Sequence, residues 1–258
     1  VRHFTNPSVP HMKGSVDPLR DISTMETELM LNDLIIVERK LHRLEEEQKR
    51  GGVGRDKMLV ARESALFDKL QDILSEGVPL RNESFTEEEE KMLSSYGLLS
   101  RKPQLIVINQ SEDQDPINVT TPYAKTKIIC IPAKLEMEIA QLPPDEAQVF
   151  LDEYGIEEPS LDRFIRLSYD LLGQISFFTG AEKEVHAWTV SEGATARETA
   201  GIIHSDMEKG FIRAEVISCE ELVNLGSLAK ARAQGKLRLE GKNYIVQDGD
   251  YLTIRFNV

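Results

Sequence analysis

Two short stretches carry side chains suited to polar recognition. Asn109-Gln110-Ser111-Glu112 follows the apolar run Leu105-Ile106-Val107-Ile108, and Pro132-Ala133-Lys134 follows a second run, Ile128-Ile129-Cys130-Ile131. An asparagine amide both donates and accepts, so Asn109 can serve the edge of a planar heterocycle or brace its own loop. Glu112 adds an anionic acceptor. Taken alone, N-x-x-E is a short pattern that an ordinary loop after a strand also satisfies. Other chemistries fail on inspection. The five histidines (His3, His11, His42, His186, His204) show no metal-ligand spacing. No G-x-S-x-G elbow and no G-x-x-x-x-G-K-[ST] run occurs in the sequence. Gly51-Gly52-Val53-Gly54-Arg55-Asp56-Lys57 follows a helical pattern rather than a strand, so it reads as a turn and not a phosphate cradle. Cys219 reads as core rather than nucleophile, His204 as a structural histidine at a helix end, and Trp188 as sheet core.

The two candidate loops need strands to present them. Both apolar runs are short and hydrophobic throughout, with helical patterns after the second, which predicts a parallel sheet covered on two faces. A helix or turn region is expected between them, an acidic helical stretch over 136–154, and an amphipathic helix from Asp162 to Phe177. Upstream, Gly14 to Pro18 reads as a turn, with Asp21 or Ser23 capping a helix. Met30, Leu34, Val37, Leu41 and Leu44 recur with 4-3-4-3 spacing, a coiled-coil seam. Beyond the glycines, Leu59, Leu66 and Ile73 lie seven apart with Leu70 between, so the two stretches predict an antiparallel helical hairpin. Thr86 caps a shorter helix opened by Glu87–Glu90. From Glu184 the pattern turns β-rich: 185–190 alternates, Thr195–Ile203 is helical, Phe211–Ile217 alternates, and Tyr244–Val246 with Leu252–Phe256 read as a hairpin around Gln247–Asp250.

Charge and composition narrow the partners. The chain has 258 residues and a net charge of −13, which argues against wholesale wrapping by nucleic acid. One segment departs from this. From Arg39 to Arg62 there are eight basic residues against four acidic ones, and Lys49, Arg50, Arg55 and Lys57 cluster at the glycine turn. They read either as a solvated helix face or as a basic prong for RNA phosphates. Residues 180–258 hold 10 basic and 12 acidic residues, so that segment is nearly neutral. No apolar run approaches the ~20 residues of a membrane helix. Val1-Arg2-His3-Phe4 lacks both a signal-peptide core and an initiator Met, which reads as a chain beginning mid-protein. Two cysteines make a disulfide framework improbable and suit a reducing cytoplasm.

The longest specific patterns resemble one family. Gly193-Ala194-Thr195-Ala196, His204 to Val216, Leu239 to Asp250 and Arg255-Phe256-Asn257-Val258 resemble the TGS domain that closes YchF/Obg-like ATPases, and Val16 to Ile22 resembles the start of that family's helical insertion. The resemblance implies an α/β fold: a partial P-loop GTPase-type parallel sheet (1–21 and 101–179), a coiled-coil hairpin insertion (22–100) and an α+β β-grasp TGS domain (180–258). Asn109-x-x-Glu112 resembles the family's replacement for the N-K-x-D of ordinary GTPases. An Asp there accepts from both N1–H and N2–H₂ of guanine; adenine offers an acceptor at N1 and no amine at C2. The longer Glu112 disrupts that clamp, so loss of guanine preference follows from the residues, and preference for ATP follows from the resemblance. Pro132-Ala133-Lys134 resembles the [ST]-A-K loop that packs on the base. Pro132 lacks the hydroxyl and the N–H that would brace the loop, which leaves the Ala133 N–H and the Lys134 stem.

The resemblance therefore implies a nucleotide-binding, ribosome-associated regulatory factor that takes ATP, or GTP less well. Asn109, Gln110, Glu112, Ala133 and Lys134 stand at the base, and Lys49, Arg50, Arg55 and Lys57 at RNA or the ribosome. Mg²⁺ is implied for the full-length protein, with its ligands and the phosphate-binding loop expected upstream of Val1. Without them the chain is expected not to hydrolyse nucleotide. The alternative is a non-enzymatic RNA or ribosome adaptor working through the TGS domain and the basic tip.

Overall fold

A computed structural model describes residues 1–49, 56–114, 117–181 and 184–257. It divides into two compact units, Val1–Phe164 and Ile165–Val258.

The first unit opens on strand β1 (Arg2–His3) and helix α1 (Pro18–Lys49). Asp17 Oδ1 accepts the Arg20 N–H at 3.1 Å, and Pro18 takes the first helical position, where its fixed φ and missing N–H are harmless. The helix thus starts earlier than the expected caps. Asp21 lies inside the first turn, paired with Arg20 at 2.8 Å and His11 at 3.0 Å. Helix α2 (Lys57–Ser75) packs on α1. Lys40 Nζ is 2.6 Å from Glu63 Oε1, while Met30 and Leu74 share a groove, so the two helices run in opposite directions. Of the expected line on α2, Leu66 and Leu70 are buried and Ile73 packs on the core, while Leu59 is 42% exposed. Val60, Phe67 and Leu74, one position further along, are buried beside them, so the buried face is wider than one seven-residue line. Val37, Phe67, Leu70, Leu80, Leu93 and Leu98 form the centre of this core, each contributing about 1.5–3 kcal/mol of burial. The glycines 51, 52 and 54, with Arg50 and Arg55, lie outside the described residues. A 3-10 turn (Leu80–Asn82) and helix α3 (Glu87–Leu93) follow, the latter capped by Thr86 in a capping box with Glu89.

Strands β2 (Gln104–Gln110) and β3 (Thr126–Ile131) complete a three-stranded parallel sheet in the order β1-β2-β3. Their register runs from Gln104↔Thr126 to Asn109↔Ile131. Burial alternates along β2: Ile106, Ile108 and Gln110 are buried, and their neighbours only half so. Among the described residues, then, one face of β2 is buried and the other only half covered. Among the described residues of 111–125 there is no helix. The acidic stretch is two helices, α4 (Ala133–Ile139) and α5 (Pro144–Glu153), because Pro143 and Pro144 cannot continue α4. Helix α6 (Ser160–Leu172) ends five residues before Phe177. Gly173, at φ 59°, turns the chain there, and residues 174–181 enter the second sheet.

The second unit carries a five-stranded sheet. Strands β4 (Gln174–Ala181) and β5 (Glu184–Ser191) pair antiparallel over their whole length. Helices α7 (Ala196–Ile203) and α8 (Ser205–Lys209), strand β6 (Phe211–Ser218), helices α9 (Cys219–Leu225) and α10 (Leu228–Ala233), and strands β7 (Arg238–Glu240) and β8 (Asp250–Phe256) follow. The order is β5-β4-β8-β6-β7, with β4 and β8 parallel. The boundary expected at residue 180 falls inside β4. Among the described residues the expected C-terminal hairpin does not form: Tyr244–Val246 makes a bridge from Ile245 to Thr195, and β8 pairs with β6 and β4. Phe177, Val190, Ala214, Val216 and Leu252 form the core under α7. Trp188, expected in the sheet core, is only partly buried and packs at its margin, donating from Nε1 to Thr179 Oγ1 at 2.9 Å. Gly210 is required by close approach, since a Cβ there would lie 1.9 Å from Asn257 O.

Candidate functional site

Because β1, β2 and β3 are parallel, their carboxyl ends gather at one edge of the sheet, where open α/β sheets bind ligands. A cleft of about 420 Å³ opens there between Phe4-Thr5-Asn6 after β1, residues 109–113 at the end of β2 and just beyond it, and Lys134 and Leu135 after β3. The sequence pattern brought out the second and third walls. It missed the first, since a two-residue strand leaves no periodic signal.

Asn109 ties the walls together. Its backbone N–H donates to Val1 O at 2.8 Å, and its side-chain Oδ1 accepts the Ala133 N–H at 3.2 Å. The Ala133 N–H, expected to be free, is thus engaged, and the loop gains from Asn109 the brace that Pro132 cannot supply. The Asn109 amide nitrogen remains as a donor. Gln110 is folded into its own loop: it is 8% exposed, its Nε2 donates to Gln114 O at 3.1 Å, and its Oε1 has no partner among the described residues. Gln114 Oε1 in turn accepts the Ser111 N–H at 3.1 Å. This small turn holds Glu112 exposed on the rim. Lys134 is 84% exposed, with Nζ 3.8 Å from Glu138, so its stem forms an open wall. Helix α4 is anchored from behind. Glu136 accepts the Ser160 N–H at 2.6 Å and the Ser160 hydroxyl, which fixes α4 to the start of α6. A larger hollow of about 530 Å³ on the second unit, near Glu192 and Glu198, is shallow and gathers no comparable set.

Comparison with known proteins places this geometry. Residues 174–257 match the YchF-GTPase_C family model, described as "Protein of unknown function (DUF933)". The "Ribosome-binding ATPase YchF" of Bacillus subtilis (strain 168) is 44% identical over 268 residues, spanning all of this chain and 72% of the relative. The chain belongs to the YchF/Obg-like ATPase family. "Obg-like ATPase 1" of Caenorhabditis elegans is 35% identical over 99% of the chain and 66% of its own length. The solved Schizosaccharomyces pombe YchF GTPase superposes with a TM-score of 0.81 at 28% identity, over 99% of this chain and 70% of that one.

The other residues singled out in this YchF-family chain separate by environment. Lys49 and Lys57 stand exposed at the facing ends of α1 and α2; Lys49 is 77% exposed and 3.9 Å from Glu45. Lys40 does not belong to the exposed basic set, since Glu63 holds it at 14% exposure. His204 ends α7 and caps α8, accepting the Asp206 N–H on Nδ1, a structural role. Burial pushes the thiols of Cys130 and Cys219 above the usual cysteine range, against a nucleophilic role. Among the described residues no group of three or more His, Cys, Asp or Glu could hold a metal ion, and no helix is long and apolar enough to cross a membrane.

Proposed function

We propose that this chain carries the base-reading and partner-binding parts of a cytoplasmic, ribosome-associated nucleotide-binding factor that favours ATP over GTP. The observation that carries the reading is the Asn109–Ala133 brace, which holds a cleft between Phe4 and Lys134 at the carboxyl ends of three parallel strands. The Phe4 ring and the Lys134 stem offer surfaces on which a planar base can lie, and the Asn109 amide nitrogen offers a donor to a purine ring nitrogen. Glu112, on the rim, replaces the shorter acid that would clamp guanine. The name of the Bacillus subtilis relative, "Ribosome-binding ATPase YchF", supports ribosome association. In this reading the α1/α2 pair is the family's coiled-coil hairpin, and Lys49, Arg50, Arg55 and Lys57 form its RNA-facing tip. The second unit is the TGS domain.

A nucleotide's phosphates and Mg²⁺ are a different matter. Bound Mg²⁺ neutralises charge on the phosphates. The described residues contain no cluster that fits it, so no hydrolytic step is assigned to them. Adenosine and guanosine, which lack phosphates, test the base site directly. Titrated into the chain and followed by amide chemical shifts, adenosine is expected to move Asn109, Ala133 and Lys134 with an affinity at least about threefold above that of guanosine. Equal response to both nucleosides, or shifts confined to other residues, removes the assignment.

A further inference from the structure

Three residues seven apart on α1 are polar and withdrawn from solvent: Glu26, Asp33 and Lys40. Each has a different partner. Glu26 Oε2 lies 2.6 Å from Arg81 Nη2, a charge contact rather than an aligned hydrogen bond, with both side chains sealed at 2% exposure or less and Glu26 Oε1 buried without a hydrogen-bond partner among the described residues. Asp33 accepts the Leu99 and Ser100 N–H groups at 2.8 and 2.7 Å. Lys40 meets Glu63 and faces the rings of Phe67 and Tyr96. Arg81 reaches further. Its Nη2 donates to Gln104 Oε1 and its Nε to Thr126 Oγ1, both at 3.0 Å, beside the Tyr123 ring. Gln104 and Thr126 are register partners and the first residues of β2 and β3. One guanidinium therefore joins α1 to both strands at the end opposite the cleft.

Apolar seams tolerate sliding, because one Leu or Val fits the next hollow nearly as well. Buried polar groups do not, since any other register strands a charge or an N–H without a partner. We propose that this stripe is a register pin, with Arg81 the positioning residue that fixes the direction in which the α1/α2 pair leaves the sheet. The pin stands on the contacts above. Its consequence, that it also sets where Lys49 and Lys57 are presented, rests on the RNA reading of the tip.

Pulsed EPR between nitroxides at Lys49→Cys and Lys102→Cys, with Cys130→Ser and Cys219→Ser, reports the distance from tip to sheet. A single narrow distribution is expected. Glu26→Met with Arg81→Met replaces the pair by apolar volume, a change buried ion pairs can survive. In that variant, with cooperative unfolding retained, the distribution should at least double in width or split in two. An unchanged narrow distribution overturns the pin. Should the double variant fail to unfold cooperatively, Arg81→Lys keeps the charge but cannot hold Glu26 and both strands together. It must broaden the distribution, and a narrow one again overturns the proposal. Ribosome sedimentation of the same variants separates the two readings. A broadened distribution with unchanged sedimentation leaves the pin standing and removes the consequence that the direction it sets matters for ribosome association.

Discussion

Removing the Asp33 carboxylate should weaken the first unit more than its single acidic group suggests. Asp33 is fully buried and accepts two backbone N–H groups, from Leu99 and Ser100. Asp33→Ala leaves both donors without their acceptor, Ser100 inside the protein and Leu99 at a part-exposed position, at up to about 1–3 kcal/mol each. Part of this is recovered, because a carboxylate no longer has to be desolvated and the vacated space can admit a water. The expected net loss is about 3 kcal/mol. Asp33→Asn keeps one acceptor but turns an NH₂ toward the second donor, and should cost roughly half as much. Two compact units make a single global transition an unsafe assumption, so urea unfolding by circular dichroism should be read beside amide exchange. The Leu99 and Ser100 amides should exchange about a hundredfold faster in Asp33→Ala, since each 1.4 kcal/mol is tenfold. A loss below about 0.5 kcal/mol with both amides still protected would refute the reasoning.

Two further outcomes rest on single contacts and a third on the charge of the tip. Tyr244 donates to Asp250 Oδ2 at 2.7 Å, and burial with that carboxylate pushes its pKa from 10.0 up to about 12. A folded-state pKa raised above the unfolded value gives stability that is full below pH 10 and lost as pH rises toward 12; Tyr244→Phe should flatten that loss in alkaline denaturation and cost about 1.5–3 kcal/mol at neutral pH. Gly210→Ala should destabilise the second unit in thermal melts by at least about 1 kcal/mol, because a Cβ would meet Asn257 O. Replacing Lys49, Arg50, Arg55 and Lys57 with Ser should lower ribosome association at least about tenfold near 0.1 M salt and flatten its salt dependence. Nucleotide affinity should stay within about twofold, because the change is screened over a Debye length of about 10 Å. Intact sedimentation would leave the tip a solvated helix end.

What could be read from the sequence followed from how each feature is encoded. The strands β2 and β3, the helices α1 and α2, the cap at Thr86 and the helix after Thr195 rest on local patterns, and they form, with α1 starting a few residues earlier than its expected caps. The loops 109–112 and 132–134 were legible because each follows an apolar strand. That Asn109 holds Ala133, 24 residues away, depends on strand register, which no local pattern shows. The Tyr244–Val246 hairpin was misjudged because alternation marks a half-buried segment without naming its partner. Helix α6 was drawn too long because Phe177 keeps an apolar period while Gly173 has already turned the chain. The polar stripe at 26, 33 and 40 escaped a heptad reading that counted only apolar residues, although its spacing was in plain view. Phe4 escaped for lack of any pattern around it.

The base-reading assignment is tested most directly by restoring the guanine clamp. In a polypeptide that joins this chain to a phosphate-binding loop, Glu112→Asp with Gln110→Lys shortens the acid on the cleft rim and rebuilds the N-K-x-D pattern. Competitive titration with ATP and GTP should show the affinity ratio moving toward GTP by at least about tenfold, or 1.4 kcal/mol. A ratio unchanged from the parent sequence, with both nucleotides still bound, would contradict the assignment of this loop to the base.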